Sequence, residues 1–303
     1  MTAYEINHLT RYYPNQSQPA NDDISLVIEE GEFFGLLGDN GAGKTTLVKQ
    51  MANLLKPSSG QVSLFGKLVS DSPLYASQHI GYMPQSGMAL NNVTVDEALY
   101  FAAHLRGWSR ADARQERDRL VDLLQLGEVR KRTMFQMSGG QKRLVALATC
   151  MAARPPIMIL DEPTNDLAPQ TRIRVWDILR EANANDGTTV ILVTHNVLEA
   201  EKVIQRVAIM KDGKVIAKGR PGALKAQLSR QLHLEIIFSP NIPPTLPGSV
   251  KPHQISPGRW HLLIERDEAA TYINSLSHDL AVEDFRLSTA TLEDLYLSMV
   301  GPA

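Results

Sequence analysis

The segment that most constrains the fold is a glycine-rich octapeptide placed between an apolar run and a helical stretch. It reads Gly38-Asp39-Asn40-Gly41-Ala42-Gly43-Lys44-Thr45, after the apolar residues 33–37 and before a helix predicted over residues 44–55. The pattern G-x-x-x-x-G-K-[ST] in this strand–turn–helix context predicts a phosphate-binding loop. Its glycines let backbone N–H groups face phosphate oxygens, and the helix N-terminus adds a positive dipole.

Individual side chains of this loop have distinct predicted tasks. Lys44 is expected to reach the β- and γ-phosphates, and the Thr45 hydroxyl to ligate Mg²⁺. Thr46, the next residue of the helix, is assigned to the same nucleotide site. The ligands that this pattern predicts are therefore ATP and Mg²⁺.

A second apolar run, residues 157–160, ends in the acids Asp161 and Glu162. Adjacent acids at a strand end are also typical of a solvated turn. Their occurrence together with the phosphate loop favours another interpretation, in which Asp161 holds Mg²⁺ through water. Glu162 is then expected to orient or deprotonate the water that attacks the triphosphate.

Composition limits the class of protein. The chain has 303 residues and a formal net charge of −2, which leaves no basic footprint for a nucleic-acid backbone, so no nucleic-acid partner is predicted. Cys150 is the only cysteine, which excludes an intrachain disulfide. The N-terminus lacks the features of a signal peptide, and the apolar runs are far shorter than the roughly 20 residues that span a bilayer.

The order of predicted elements indicates an α/β fold followed by a smaller domain. Alternating residues within the first 30 positions predict a peripheral antiparallel sheet, and strand–helix–strand alternation around residues 157–193 predicts a parallel sheet with covering helices. Residues 95–126 have the pattern of mostly solvated amphipathic helices. After about residue 231 the composition changes, and strands near 234–238, 260–265 and 282–287 are predicted, with a proline-rich loop over 239–257 and a final helix over 291–300.

The heptapeptide Met137-Ser138-Gly139-Gly140-Gln141-Lys142-Arg143 resembles the signature LSGGQ-x-R of the ABC ATPases. The resemblance covers residues 1 to about 225. It implies a P-loop NTPase fold with a RecA-like core, an antiparallel β subdomain and a helical subdomain inserted at about 86–154. It further implies that Ser138, Gly139, Gly140 and Gln141 face the γ-phosphate held by an opposite subunit, so that two chains enclose each ATP. The domain boundaries expected are 1–228 for the nucleotide-binding domain and 229–303 for an accessory or regulatory domain.

The same resemblance assigns three further residues. Gln85, which follows a predicted strand and Pro84, matches the family's Q-loop glutamine, which touches Mg²⁺ or the attacking water. His195 matches the switch histidine, which bonds the γ-phosphate. Tyr13 matches the aromatic residue that stacks on adenine, with Tyr12 as the rival position.

Two features modify the resemblance. Where the family has Ser-Gly/Ala-Leu-Asp in the loop that links the two active sites, this chain has Asn165-Asp166-Leu167-Ala168, which leaves the cooperativity between sites open. The ending, residues 291–301, is similar to the LED-x-(F/Y)-L pattern of ATPase subunits that drive drug, lipid or polysaccharide export. An amphipathic helix that only packs its apolar residues would have the same sequence.

The function expected is therefore that of an ATP-hydrolysing subunit that powers a separately encoded membrane permease, as an exporter. Its expected partners are integral-membrane permease subunits and a second ATPase subunit, in a homodimer, and its expected location is the cytoplasmic face of the membrane. The alternatives are a soluble ABC ATPase acting on DNA or the ribosome and an importer ATPase. The segment between Lys44 and Ser138 has no sustained heptads, which argues against the chromosome-type members.

Overall fold

The computed structural model describes residues 1–85, 92–226, 231–248, 250–289, 291–292 and 294–295. The chain divides into two compact units, Met1–Arg220 and Pro221–Ala303. The first unit has two sheets and the second has one, and each unit has its own apolar core.

The strands are β1 (Thr2–Arg11), β2 (Asn21–Glu29), β3 (Phe33–Gly38), β4 (Ser59–Leu64), β5 (Lys67–Leu68), β6 (Ile80–Met83), β7 (Ile157–Asp161), β8 (Thr189–Thr194), β9 (Arg206–Lys211), β10 (Lys214–Gly219), β11 (Leu232–Phe238), β12 (His253–Ser256), β13 (Arg259–Ile264) and β14 (Val282–Thr289). The α-helices are α1 (Lys44–Met51), α2 (Pro73–His79), α3 (Val95–Leu105), α4 (Arg110–Leu123), α5 (Gly139–Met151), α6 (Pro169–Asp186), α7 (Val197–Ala200), α8 (Pro221–Lys225) and α9 (Ala269–His278).

A six-stranded sheet in the order β10-β9-β3-β8-β7-β6 forms the centre of the first unit. Its strands β9, β3, β8, β7 and β6 run parallel, whereas β10 pairs antiparallel with β9. All residues of β3, β7 and β8 are buried, as expected for parallel strands covered on both faces. Because parallel strands end at the same edge of a sheet, the loops after β3, β6, β7 and β8 meet there.

An antiparallel sheet, β2-β1-β4-β5, lies in the same unit. Its alternating apolar residues, such as Ile6 and Ile28, join one buried cluster with Leu36 of β3, Leu47 of α1 and Ile159 of β7. The α/β fold with a parallel sheet and antiparallel sheets, predicted from the sequence, is confirmed. Among the residues that the structure describes, no helix is long and apolar enough to cross a bilayer.

Helices α3, α4 and α5 follow β6 along the chain. Helix α3 begins at a complete capping box, in which Thr94 and Glu97 each bond the other's backbone N–H. Its Asp96 is 6% exposed and accepts hydrogen bonds from Arg130 and Lys131. The amphipathic pattern therefore includes an acid on the buried side, which is stabilised by ion pairing.

Helix α1 ends at Met51, four residues before the end predicted at residue 55. Asn53 has a φ of 57°, in the left-handed region, and its side-chain amide donates a hydrogen bond to the Val69 carbonyl at 2.7 Å. Asparagine tolerates this conformation better than most residues and often ends helices in this way. The end predicted at residue 55 was wrong. The helix ends at this hydrogen bond to a distant residue, before the chain reaches Pro57 and Gly60.

The second unit contains a four-stranded antiparallel sheet in the order β12-β13-β11-β14. Alternate residues of β11 are buried, and they join Leu262 and Ile264 of β13 and Tyr272 and Leu276 of α9 in one apolar core. Strand β12 lies inside the segment predicted as a proline-rich loop; all four of its residues are exposed, so no apolar alternation marks them. The predicted final helix and the LED-x-(F/Y)-L pattern lie mostly outside the described residues.

Candidate nucleotide site

The predicted phosphate loop connects β3 to α1 by a backbone path that only glycine allows at two positions. Gly38 and Gly43 have φ values of 154° and 97°, and a Cβ atom on them would lie 2.4 Å from the Met210 carbonyl oxygen and 2.2 Å from the Ala20 carbonyl oxygen. The loop is therefore packed closely against β9 and against the start of β2. Such close approach explains why these positions must lack a side chain.

Lys44, the first residue of α1, has a side chain that curls back over the loop. Its Nζ donates hydrogen bonds to the carbonyl oxygens of Gly38 at 2.7 Å and Asp39 at 2.9 Å. Burial lowers the pKa of Lys44, and the nearby carboxylates of Glu162, Asp161 and Asp39 act in the opposite direction. The cation is thus held where a triphosphate would add negative charge.

Asp161 at the end of β7 lies against the start of α1. The Thr45 hydroxyl donates a hydrogen bond to Asp161 Oδ2 at 3.0 Å. Burial raises the pKa of Asp161, and the adjacent Glu162 adds to that rise, whereas Thr45, Lys44 and Arg143 lower it. The two side chains predicted to hold Mg²⁺ are therefore brought together from elements 116 residues apart.

Glu162 is 4% exposed and has a φ of 54°. Its carboxylate accepts hydrogen bonds from the Thr194 hydroxyl at 2.8 Å and from the His195 backbone N–H at 2.8 Å. The Nδ1 atom of His195 lies 2.6 Å from the same carboxylate. Two of the residues predicted to be catalytic, Glu162 and His195, are thus in direct contact. Sequence reasoning missed Thr194, although it is the last residue of the strand that leads to His195.

Most of the residues predicted to form the nucleotide site line one open cavity of about 500 Å³. It is lined by Tyr13, Gln16, Ala20, Asn40, Gly41, Gly43, Lys44, Thr45, Thr46, Gln85, Asp161 and Glu162. Gly38, Asp39 and Ala42 lie in the same loop without lining it, and Gln16 and Ala20 are additions that the sequence pattern did not indicate. The structure thus brings together residues from the ends of β3, β6 and β7.

Tyr13 rather than Tyr12 lies at this cavity. The Tyr13 hydroxyl is 3.3 Å from the Thr46 hydroxyl oxygen, and the Arg11 guanidinium lies 5.3 Å from the Tyr13 ring centroid. Tyr12 is 48% exposed and is not among the lining residues. The position of Tyr13 at the mouth of the phosphate site fits the stacking role predicted for it.

The signature segment forms the N-terminus of α5. Ser138 is the N-cap: its hydroxyl accepts from the Gln141 N–H, and the Gln141 side chain accepts from the Ser138 N–H. Ser138 and Gly139 are exposed, and none of Ser138, Gly139, Gly140 and Gln141 lines the cavity at Lys44. The chain therefore has two separate surfaces whose backbone N–H groups suit anion binding, one at the phosphate loop and one at the start of this helix.

Arg143 connects the signature helix to the other site segments, a role that the sequence did not reveal. Its guanidinium donates to the carbonyl oxygens of Pro84 and Gln85 at 3.1 and 2.8 Å, and also to those of Asp161 and Glu162. One side chain thus ties α5 to the backbone on which Gln85 and Glu162 stand.

The segment that departs from the family pattern lies beside the signature. Asp166 has a φ of 63° and lies next to Gly139 and Gly140. Ala168 occupies the N-cap of α6 and supplies no side-chain cap. Arg172 of α6 pairs with Glu199 at 2.5 Å, and Glu199 also accepts from Thr164 at 3.3 Å. This loop is therefore linked by side chains to the helix that follows His195.

Comparison with known proteins identifies the family. The family model for the ABC transporter matches residues 21–165. The daunorubicin/doxorubicin resistance ATP-binding protein DrrA of Streptomyces peucetius is 31% identical over 99% of this chain and 92% of its own length. The methionine import ATP-binding protein MetN of Haemophilus influenzae is 33% identical over 78% of this chain and 70% of its own length.

Longer relatives and solved structures agree with this result. The chain spans 18% of the mouse ABC-type organic anion transporter ABCA8A, to which it is 30% identical over 92% of its own length. The dimeric post-hydrolysis structure of the ATP-binding cassette MJ0796 with ADP and Pi matches with a TM-score of 0.68 and 26% identity, over 72% of this chain and 98% of that one. The chain therefore belongs to the ATP-binding subunits of ABC transporters, and it is an ATPase of that family.

Proposed function

We propose that this chain binds MgATP in the cavity at Lys44 and hydrolyses it as one of two copies that close on the nucleotide. Tyr13 stacks on adenine, the loop from Gly38 to Thr46 holds the phosphates, and the segment from Ser138 to Gln141 of the second copy completes each site. The observation that carries the proposal is the convergence of Lys44, Thr45, Gln85, Asp161 and Glu162 on one cavity. The MJ0796 structure, a dimer with ADP and Pi, supports the two-copy arrangement.

The residues present fit Mg²⁺. This cation prefers oxygen ligands, keeps several waters, and is bound in such sites by one or two protein groups together with phosphates. The Thr45 hydroxyl and the Asp161 carboxylate, 3.0 Å apart, supply those oxygens, and Gln85 lines the same cavity. When bound, the ion would neutralise charge that develops on the phosphates.

The catalytic role falls to Glu162, because its carboxylate is buried and held by three hydrogen bonds at the edge of the cavity. A carboxylate so placed can orient a water and accept its proton. His195, which contacts the same carboxylate, takes the proposed role of a hydrogen-bond donor to the γ-phosphate. Lys44 and the loop amides stabilise the charge of the transition state by position rather than by covalent chemistry.

Export is the direction that we propose, and the likeness to DrrA supports it. DrrA, named for drug resistance, aligns over 99% of this chain, whereas the importer MetN aligns over 78%. The likeness to DrrA therefore includes residues beyond those shared with MetN. The partners proposed are integral-membrane permease subunits and a second copy of this chain, with the chain peripheral to the cytoplasmic face of the membrane. Import remains the second candidate, because MetN and the putrescine transport protein PotG are 33% and 36% identical.

The nucleotide site is tested with purified protein. We expect the wild type to bind and hydrolyse MgATP, and Lys44→Ala to lose binding or at least about 100-fold in turnover, as typical for removal of charge stabilisation at a transition state. Lys49→Ala, an exposed lysine of the same helix, is the matched control and should remain unchanged. Equal activity of Lys44→Ala and the wild type would refute the site.

Direction is tested after the complex is purified from membranes and its membrane partner identified. In inverted vesicles that contain the complex, ATP-dependent accumulation of doxorubicin, used as the probe, supports export. ATP-dependent loss of preloaded methionine or putrescine from the same vesicles supports import instead. Lys44→Ala in the same vesicles separates coupled transport from leakage.

A further inference from the structure

Two buried side-chain amides lie directly behind the phosphate loop. Asn21 is the first residue of β2 and is 0% exposed, and Gln50 of α1 is 1% exposed. Asn21 Nδ2 donates to the Gly43 carbonyl oxygen at 3.0 Å, and Gln50 Nε2 donates to Asn21 Oδ1 at 2.7 Å. Gln50 Nε2 also lies 3.3 Å from the Thr46 carbonyl oxygen. The amides thus form a short chain that ends on the backbone of the loop.

Several buried apolar residues lie close to this pair along the chain. Ile24, Leu47, Val48 and Met51, which neighbour the two amides along β2 and α1, all belong to the main buried cluster. The Gln50 Oε1 atom is buried without a hydrogen-bond partner in the described residues. Burying a polar atom in that way costs free energy, so packing alone would favour two aliphatic side chains here. The pair therefore indicates a task that needs hydrogen bonds.

The hydrogen bonds to Gly43 indicate what this task is. Its carbonyl oxygen accepts from both the Leu47 N–H, at 3.0 Å, and the Asn21 side chain. A peptide unit is planar and trans, so its C=O and N–H point in opposite directions. Fixing the Gly43 carbonyl toward β2 therefore directs the Lys44 N–H to the other side of the loop, and both Gly43 and Lys44 line the cavity.

We propose that Asn21 and Gln50 are positioning residues for phosphate binding, which act by holding the Gly43–Lys44 peptide in the orientation that presents its N–H to a phosphate oxygen. Asn21 makes the contact, and Gln50 fixes the Asn21 amide so that Nδ2 rather than Oδ1 faces the loop. This inference rests on the proposed nucleotide site at Lys44. It adds a requirement for two residues that do not themselves line the nucleotide cavity.

The test uses Asn21→Leu, Gln50→Leu and the double variant, with MgATP binding measured by calorimetry and stability by thermal unfolding. Each single variant leaves a buried amide without its partner and should lower the melting temperature. The double variant removes both amides, and such paired apolar replacement is often nearly neutral for stability. We therefore expect it to recover most of the melting temperature.

A positioning role predicts that affinity does not recover with stability. Loss of one oriented backbone donor should weaken MgATP binding about tenfold in Asn21→Leu and in the double variant, with KM raised more than kcat is lowered. Asn53→Leu is the control: it removes an amide contact at the far end of the same helix and should affect stability alone.

Wild-type affinity in a stable double variant would overturn the inference, provided that Lys44→Ala has lost binding in the same assay. Failure of the wild type itself to bind MgATP would overturn the inference together with the proposed nucleotide site. Parallel recovery of affinity and melting temperature in the double variant would also overturn it, since that is the result expected from a purely structural pair.

Discussion

His195 contacts one oxygen of Glu162 at two points: Glu162 Oε1 lies 2.8 Å from the His195 backbone nitrogen and 2.6 Å from His195 Nδ1. Thr194, the preceding residue, donates its hydroxyl proton to the other carboxylate oxygen at 2.8 Å. The end of β8 therefore sets the position of the acid at the end of β7.

The first prediction concerns Thr194. Thr194→Val keeps the volume of the side chain and removes one hydrogen bond to the Glu162 carboxylate. Because a bond to a charged group contributes about 1.5–3 kcal/mol, we expect kcat to fall by roughly tenfold or more, with KM little changed. Steady-state phosphate release as a function of ATP concentration gives both constants.

Thr189→Val is the matched control for this experiment. Thr189 begins the same strand, is 1% exposed, and accepts a hydrogen bond from the Gly31 N–H at 2.9 Å. That variant should lose stability and keep its kcat. If both variants reduced kcat equally, Thr194 would act through strand stability and not through Glu162.

The second prediction concerns Glu162 itself. Glu162→Gln keeps the shape of the side chain and removes the base, so MgATP should still bind while hydrolysis slows by about 10²–10⁴-fold. Because the nucleotide then persists, a dimer should accumulate with ATP, which light scattering during size-exclusion chromatography detects. Glu32→Gln, at another buried carboxylate that pairs with Arg206, controls for burial and should leave turnover intact. Wild-type turnover in Glu162→Gln would remove Glu162 from its proposed role.

The third prediction concerns the departure at Ala168. This residue has φ −61° and ψ 149°, which suit an N-cap, but it offers α6 no side-chain acceptor. Replacing alanine by a good N-cap residue stabilises a helix by about 1 kcal/mol, so Ala168→Asp should raise the melting temperature by about 2–4 °C. Thermal unfolding without nucleotide measures the effect.

The control for Ala168→Asp is Ala184→Asp, in the last turn of the same helix. There an added negative charge is unfavourable with the helix dipole and caps nothing, so no gain is expected. Equal gains in both variants would contradict the capping explanation. The Hill coefficient of ATP hydrolysis, measured for Ala168→Asp and the wild type, then tests whether this loop couples two sites.

The fourth prediction concerns pH and the second unit. His233 Nδ1 of β11 and His261 Nε2 of β13 lie 3.1 Å apart. Burial lowers the pKa of His261, and the neighbouring histidines His233 and His253 act in the same direction, whereas Glu235 and Asp294 oppose them. The folded state therefore binds fewer protons at His261 than the unfolded chain does.

The sign of the effect follows from this difference. The contribution of His261 to stability is present above the unfolded pKa, near 6.5, and is lost as the pH falls through that value toward the lower folded pKa. Amide hydrogen exchange in β11 and β13, corrected for intrinsic rates, should show weaker protection at pH 5.5 than at pH 7.5. His261→Gln should reduce this dependence, and His278→Gln, at an exposed histidine of the same unit, should not. An unchanged pH dependence in His261→Gln would contradict the assignment.

Several features could be predicted from the sequence because they depend on contiguous residues. The loop from Gly38 to Thr45 and the buried runs that became β3, β7 and β8 follow from local chemistry. The family and the α/β fold class were confirmed on that basis. The end of α1 was predicted wrongly because the hydrogen bond from Asn53 to the Val69 carbonyl determines it. Strand β12 was missed because its pairing with β13 at the edge of the sheet determines it.

The amino-acid sequence specifies the chemical identity of the groups: a lysine and glycines for phosphate, a hydroxyl and a carboxylate for a cation, and a carboxylate for water. Which of these groups meet, and what holds them there, depends on the packing of the folded chain. Thr194 and the pair Asn21 and Gln50 carry no local pattern, because each acts on residues that lie far away along the chain. Arg143 belongs to the signature pattern, but that pattern does not reveal its distant contacts. The physical reason is that a side-chain hydrogen bond depends on distance and direction in space, which only the packing of the sheets and helices fixes.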